Sequence, residues 1–406
     1  MLSLPDIQAA QERLQGMIIP TPLVYSQTLS KMCGRKVFLK LENLQTTGSF
    51  KLRGSLNKLH LLPEMHRTAG VVAASAGNHA QGVAYAAALA GLPATIVMPQ
   101  WASLSKQAAT EGYGGRVILH GQSLAEALAH AQELAREGLT FIHPYDDPEI
   151  IAGQGTLGLE IMSALPEVDA VLIPVGGGGL AAGIALAIKS LKSQVRIYGV
   201  QSSLVPSAQA AFEAGRPTPV PGAPTLADGI NVTCLGQHTF PLLHQCLDGL
   251  ALVSEAEIAD AVLLLLEKKK VLSEGAGAVP VAALLHVLSK KDLGERVVLV
   301  ISGGNIDIPL LERVVQRGLL HSRRLLSIQV ALPDSPGSLG ALAGLVGQAG
   351  ANILHLAHDR LSLDLPLRQT RVKLDLETLG AAHCEHILET LRQASYRVEI
   401  PEGEGF

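Results

Sequence analysis

The sequence predicts an α/β protein: two lobes built on parallel sheets with helices on both faces, followed by a smaller ferredoxin-like βαββαβ module. Three observations predict it. Between residues 70 and 142, short apolar runs alternate with alanine-rich helical stretches, the βα repeat of a parallel sheet. The same alternation returns between residues 155 and 301, so the repeat occurs twice and a cleft is expected at the junction. After Leu320 the order changes to βαββαβ. A length of 406 residues agrees, being long for one ordinary domain and sufficient for two or three cores.

The first helix is expected over 4–15, beginning near Pro5-Asp6 with Ile7, Ala10 and Leu14 on its apolar face, and Pro20-Thr21-Pro22 ends that unit. Lys36-Val37-Phe38-Leu39-Lys40-Leu41 alternates charged and apolar residues like a strand and delivers the chain into the stretch 42–54. The smaller lobe, at about 40–145, carries strands over 71–74, 94–98, 116–120 and 140–142 and helices over 80–90, 103–111 and 123–137. The turn at 143–148 leads into the second lobe. There a helix over 155–165, a strand over 170–175, a glycine run, a helix over 181–191 and a strand over 195–200 follow in order. A proline-rich irregular region at 217–224 precedes helices over 255–268 and 277–289 and a strand over 296–301. These elements make one unit over 1–320, and 321–324 reads as a linker. The module at 325–406 has strands over 325–332, 352–356, 370–376 and 397–400 and helices over 337–348 and 383–394. Its length, about 80 residues, suits an independently folding domain.

Composition narrows the function. Hydrophobic residues are 48%, glycines number 41 and aromatics are 3%, so the core is expected to be Ala, Leu, Val and Ile with close helix-to-sheet contacts. A net charge of -4, from 32 basic and 36 acidic residues, leaves no footprint for nucleic acid or an anionic membrane. Cys33, Cys234, Cys246 and Cys384 form no C-x-x-C pair, which argues against zinc and disulfides and for a reducing compartment, so a cytoplasmic protein is expected. The first residues lack the basic and apolar regions of a secretory signal. The apolar runs 83–98 and 173–188 are broken by glycine or proline, short of the roughly 20 residues a membrane span needs.

Four stretches carry chemistry. Lys51, after Ser49 and Phe50 at a strand-to-helix turn, loses hydration among such neighbours, which lowers its pKa and favours attack on an aldehyde. A solvated turn lysine is the other reading. Gly176, Gly177, Gly178 and Gly179 follow a strand and open a helix, where bare N–H groups converge on a phosphate; a structural turn is the alternative, although ordering four glycines costs entropy. No Lys-Ser/Thr follows, so this is not a nucleotide P-loop. Ser75-Ala76-Gly77-Asn78-His79 offers N–H groups and an amide to a carboxylate or ring hydroxyl, or simply caps its helix. His79, on an alanine-rich helix, reads as structural. Ser302-Gly303-Gly304-Asn305 ends a strand, where α/β folds bind ligands, and a neutral hydroxyl at Ser302 can meet a ring nitrogen without forcing its protonation; a glycine turn is again the alternative. Glu274 reads as a helix cap.

In this order the motifs resemble the pyridoxal-phosphate enzymes of fold type II, most closely the threonine ammonia-lyases (threonine dehydratases) with one C-terminal ACT domain, over essentially the whole chain. The resemblance implies pyridoxal 5'-phosphate as cofactor, held covalently by Lys51, packed by Phe50, bonded at its 3-hydroxyl by Asn78, cradled at its phosphate by Gly176, Gly177, Gly178 and Gly179, and faced at its pyridine nitrogen by Ser302. Ser75, Ala76 and Gly77 are implied to hold the substrate carboxylate. The implied reaction is α,β-elimination of L-threonine to 2-oxobutanoate and ammonia, with L-serine to pyruvate beside it and Lys51 as the base for the Cα proton. Ala76 replaces a serine that the related serine racemases use as a second acid/base, which disfavours racemisation. Gln201, Val205 and Ser207 stand where those relatives bind a divalent cation, so no metal is expected. Glu274 matches an acidic residue near the family's cofactor pocket. Asp334-Ser335-Pro336-Gly337 resembles the ACT signature, implying an amino-acid effector and allosteric control, with a plain Pro-Gly turn or a module that mainly oligomerises as the alternatives; the family resemblance implies a homo-oligomer (dimer or tetramer) and a role in isoleucine biosynthesis or in threonine catabolism. A serine dehydratase or racemase of the same fold and a non-catalytic amino-acid sensor are the alternatives. No nucleic-acid or membrane partner is expected.

Overall fold

The βα repeat of the first lobe folds into a four-stranded parallel sheet in the order Gly115–Leu119, Ala94–Met98, Val71–Ala74, Thr140–Phe141. Alternation along the central strands divides the core in two, because successive side chains leave opposite faces. Val71, Ala73, Ile96 and Met98 share one cluster with Leu52 and Leu56 of the helix Lys51–His60 and with Ala80 and Val83 of the helix Asn78–Leu89. On the other face Val72, Ala74 and Val97 pack with Ala127 and Ala131 of the helix Leu124–Arg136. A sheet covered on both faces needs apolar residues at every position, which is why Val71–Ala74 is buried throughout. The computed structural model describes residues 2–360, 366 and 368–401.

The second lobe holds a six-stranded sheet in the order Leu23–Tyr25, Lys36–Leu41, Arg296–Ile301, Ala170–Pro174, Arg196–Ser202, Gly249–Val253. All its pairings are parallel except the first, an antiparallel edge that the βα pattern does not predict. Both outer strands escape sequence reading. Leu23–Tyr25 is only three residues long, and Gly249-Leu250-Ala251-Leu252 has no β-branched residue before Val253. Because Lys36–Leu41 lies in this larger sheet, the chain crosses from it into the smaller lobe through residues 42–50.

Other elements differ in extent. The helix Pro148–Ala164 starts seven residues before 155, because Asp147 accepts from the N–H groups of Glu149 at 2.9 Å and Ile150 at 3.3 Å, and Pro148 sits at its first turn. This helix packs tightly on Lys51–His60, since a Cβ on Gly153 would lie 2.7 Å from the Arg53 carbonyl oxygen. The helices Glu255–Leu264 and Gly275–Ala282 both pass into π turns, Leu265–Lys269 and Ala283–Val287, instead of running regularly to 268 and 289.

The chain divides into two compact units, Met1–Asp307 and Ile308–Phe406. The helix Ile308–His321, unread in the sequence, groups with the second unit, so this division falls ahead of the expected linker at 321–324. The second unit has an antiparallel sheet in the order Asn352–Asp359, Gln369–Glu377, Leu325–Pro333, Val398–Glu399. Alternate residues of its strands, among them Leu326, Ile328, Val372 and Leu374, share one core with the helices Ser338–Gln348 and Ala381–Gln393. This is the expected βαββαβ order. Residues 361–365, 367 and 402–406 of that module lie outside the described residues. Among the described residues no helix is long and apolar enough to cross a membrane.

Candidate active site

The stretch before Lys51 is laid along the end of the strand Arg296–Ile301. Ser49 bridges Gly303, Phe50 donates its N–H to the Ser302 carbonyl at 3.1 Å, and Gly304 donates to the Gly48 carbonyl at 2.9 Å. Lys51 then opens the helix Lys51–His60. Its amine donates to the Pro144 carbonyl at 2.7 Å and lies 5.2 Å from the centroid of the Phe50 ring. Burial pushes the amine down to about 8, against an upward pull from Glu274.

Asn78 is the first residue of the helix Asn78–Leu89, directly after Ser75, Ala76 and Gly77. Its Nδ2 donates to Glu274 Oε1 at 2.7 Å, and its Oδ1 accepts from Asn305 Nδ2 at 2.7 Å. Burial, with the negative charge of Asp228, pushes Glu274 up to about 7. Ser302 is buried one residue past the strand Arg296–Ile301. The His79 ring is engaged by the backbone: its Nε2 meets the Ile142 carbonyl at 2.9 Å, and burial, with the charge of Lys51, pushes it down to about 3, so it stays neutral.

The glycine run turns through Gly178, at φ 98°, into the 13-residue helix Gly179–Leu191. Among the described residues the N–H groups of Gly176, Gly177 and Gly178 donate to no group of the chain, so they stand free at the positive end of that helix. Tyr145, the neighbour of Pro144, sets its ring against Gly177, where a Cβ would strike it. Asp146 secures the loop by accepting from the N–H groups of Gln237 and His238, each at 2.8 Å, and Thr239 Oγ1 donates to the Gly177 carbonyl at 2.7 Å. One loop, 143–146, thus joins Lys51 to the glycine run.

Sequence reasoning missed several partners. Arg53, fully buried, donates to Glu42 through Nε at 2.7 Å and Nη2 at 2.8 Å, and to Glu160 through Nη1 at 2.5 Å. Lys40 Nζ reaches Glu160 at 2.5 Å and the Thr21 carbonyl at 2.6 Å, and Thr21 Oγ1 donates to Glu42. The two cations and two anions balance. Carboxylates on both sides hold Arg53 well above its usual range despite burial. Lys106 of the smaller lobe spans to Asp228 at 3.1 Å and Asp307 at 3.3 Å. The one available signal was the position of Arg53 two residues after Lys51; its partners lie far away in sequence.

Gln201 Oε1 accepts from the Ala208 N–H at 2.8 Å, while Nε2 donates to the Val175 carbonyl at 3.1 Å and to Ser207 Oγ at 3.3 Å. Both ends of the amide are therefore engaged by the chain. Among the described residues no three His, Cys, Asp or Glu side chains are grouped to hold a metal ion.

A family model described as pyridoxal-phosphate dependent enzyme matches residues 14–303. The chain is 48% identical to an L-threonine ammonia-lyase of Thermotoga maritima over 401 residues, covering 98% of this chain and all of the relative. It is 45% identical to a catabolic L-threonine dehydratase of Escherichia coli K12 over 77% of this chain and 96% of the relative. Among solved structures, a threonine deaminase of T.th. superposes with a TM-score of 0.71 at 40% identity, covering 75% of this chain and 99% of that one. Maize serine racemase superposes with a TM-score of 0.74 at 33% identity, over 79% and 99%. The residues present fit the cofactor of that family: a buried lysine amine near pKa 8, three free N–H groups at a helix N-terminus, and an Asn78 amide held by Glu274 and Asn305.

Proposed function

The chain belongs to the pyridoxal-phosphate dependent enzymes and, within them, to the L-threonine ammonia-lyases, and from that premise we infer that it deaminates L-threonine to 2-oxobutanoate and ammonia by α,β-elimination. The observation that carries the site assignment is the Lys51 amine, depressed to about 8 and placed beside the loop that leads to the free N–H groups. When bound, pyridoxal phosphate supplies the electron sink that acidifies the Cα–H of an attached amino acid. Lys51 would hold the cofactor through its amine and, when that amine is free, would receive the Cα proton; its low pKa keeps an appreciable neutral fraction near neutral pH.

The N–H groups of the run Gly176, Gly177, Gly178 and Gly179 would hold the phosphate. Asn78 would donate to the 3-hydroxyl oxygen, Phe50 would pack on the ring, and the neutral Ser302 hydroxyl would face the ring nitrogen. Ser75, Ala76 and Gly77, at the start of the helix Asn78–Leu89, would hold the substrate carboxylate. The Ala76 methyl carries no exchangeable proton and cannot serve as a second acid/base, which favours elimination over racemisation. L-Serine, shorter by one methyl, enters the same chemistry and yields pyruvate.

The reading extends to a cytoplasmic homo-oligomer whose residues 325–406 form an ACT-like regulatory domain. Its support is the βαββαβ order, the turn Asp334-Ser335-Pro336-Gly337 ahead of the helix Ser338–Gln348, and the four free cysteines. An amino-acid effector at that turn, with isoleucine as the candidate end product, gives allosteric control of a biosynthetic step. Lys51→Ala is expected to lose both the borohydride-reducible visible chromophore and threonine turnover. Retention of both overturns the assignment of Lys51, and L-serine racemisation outpacing threonine deamination overturns the argument from Ala76.

A further inference from the structure

We propose that Asn305 is a positioning residue that fixes which end of the Asn78 amide faces the cofactor, an inference that rests on the assignment of Asn78 to the cofactor's 3-hydroxyl. The chain of bonds starts at an atom that cannot be turned round. The Thr47 carbonyl only accepts, so the Asn305 atom lying 2.8 Å from it is the amide nitrogen. The second hydrogen of that nitrogen points to Asn78 at 2.7 Å, which makes the receiving atom Oδ1. Asn78 Nδ2 is then turned toward Glu274 Oε1 at 2.7 Å, and its other hydrogen is left for an oxygen of the bound ring. Gln81 Oε1, at 3.4 Å from the same Asn305 nitrogen, is a more distant third partner.

Reversal of Asn78 would set its NH2 against the NH2 of Asn305, a repulsive contact at every pH, and its carbonyl against the Glu274 oxygen, repulsive when that carboxylate is ionised, in a half-buried site. Asn305 is itself confined. Gly48 has φ 72°, and a Cβ there would fall onto Asn305 Oδ1, so the glycine before Lys51 makes room for the amide that orients Asn78. The donor Asn78 presents would stabilise the ionised form of a ring hydroxyl, whereas a reversed amide would present an acceptor.

The test is a double-mutant cycle on the full chain with pyridoxal phosphate as the probe. Asn305→Asp keeps the shape and replaces the donor by an acceptor. Wild type, Asn305→Asp, Asn78→Ala and the double variant are compared by cofactor dissociation constant and by the pH midpoint of the visible band. Asn305→Asp is expected to weaken cofactor binding about tenfold or more, to move the midpoint in the same direction as Asn78→Ala, and to add nothing once residue 78 is alanine. An effect of equal size in both backgrounds overturns the proposal, because a merely structural role does not depend on Asn78. Should Asn305→Asp fail to fold, Asn305→Ser goes through the same cycle under the same criteria. The broader reading fails separately, if Lys51→Ala keeps the visible band; loss of that band with additive Asn305 effects refutes the positioning role alone.

Discussion

Trace acetylation of the apo protein reads the Lys51 amine directly, because only its neutral form reacts with acetic anhydride. Burial brings this amine from 10.5 to about 8, and Glu274 pulls it partly back. At pH 7 a pKa of about 8 leaves about one amine in ten neutral, against about one in three thousand for a solvated lysine, a gain of roughly three-hundredfold. Labelling between pH 6 and 11, with the Lys51 peptide quantified by mass spectrometry against lysines of the denatured chain, is expected to give a midpoint near 8. Glu274→Gln sharpens the test, since glutamine still accepts from Asn78 but carries no charge. The upward pull then disappears and the midpoint moves below that of wild type. Stability follows the same sign: the unfolded chain binds the extra proton between about 8 and 10.5, so the contribution of Lys51 to stability rises with pH across that window. A wild-type midpoint near 10.5, or an upward move in Glu274→Gln, would refute the reasoning.

Arg53→Met strands Glu42 and Glu160 without their guanidinium and is expected to cost about 3–5 kcal/mol in urea unfolding, with Glu42→Gln recovering part of the loss in the double variant. Gly177→Ala drives a methyl into the Tyr145 ring, so cofactor affinity is expected to fall by about tenfold or more, and Tyr145→Ala is expected to restore some of it; unchanged affinity in a titration removes the glycine run from the binding site. Because both ends of the Gln201 amide are engaged by the chain, EDTA is expected to leave threonine deamination unchanged and added magnesium to give no activation. His79, at about 3 when folded and 6.5 when unfolded, contributes stability that is lost as pH falls from 6.5 to 3, whereas Glu274, raised to about 7, gains on acidification from 7 to 4.5. Acid titration of unfolding should therefore be shallower in His79→Gln and steeper in Glu274→Gln.

The fold was most legible where one local signal decided it. Val71–Ala74, Ala94–Met98 and Arg296–Ile301 are flush apolar runs bounded by glycine, proline or charge, and they lie where their composition places them. Strands whose pairing comes from elsewhere were invisible, as with Leu23–Tyr25, which exists because Lys36–Leu41 offers it an edge. The site divides in the same way. Lys51, the glycine run and Ser302 announce themselves by their place at strand ends, but Asn305 meets Asn78 across 227 positions and Arg53 meets Glu160 across 107. No spacing encodes such encounters. They follow from two sheets packed beside one helix pair, and that packing is a property of the whole unit.

The quartet of Lys40, Glu42, Arg53 and Glu160 also limits how this sequence can drift. Each member offsets a charge that would otherwise be stranded beneath the helix of Lys51, so a single neutral replacement leaves an unmatched ion in the interior. The stable routes to another residue set change one cation and one anion together. A descendant that crosses one replacement at a time passes through a destabilised intermediate, and it survives only with stability held in reserve elsewhere in the unit. The four positions therefore behave as one inherited character spread over 121 residues of chain, and recombination between relatives that splits Lys40–Arg53 from Glu160 is expected to yield poorly folded hybrids whenever the two parents differ there.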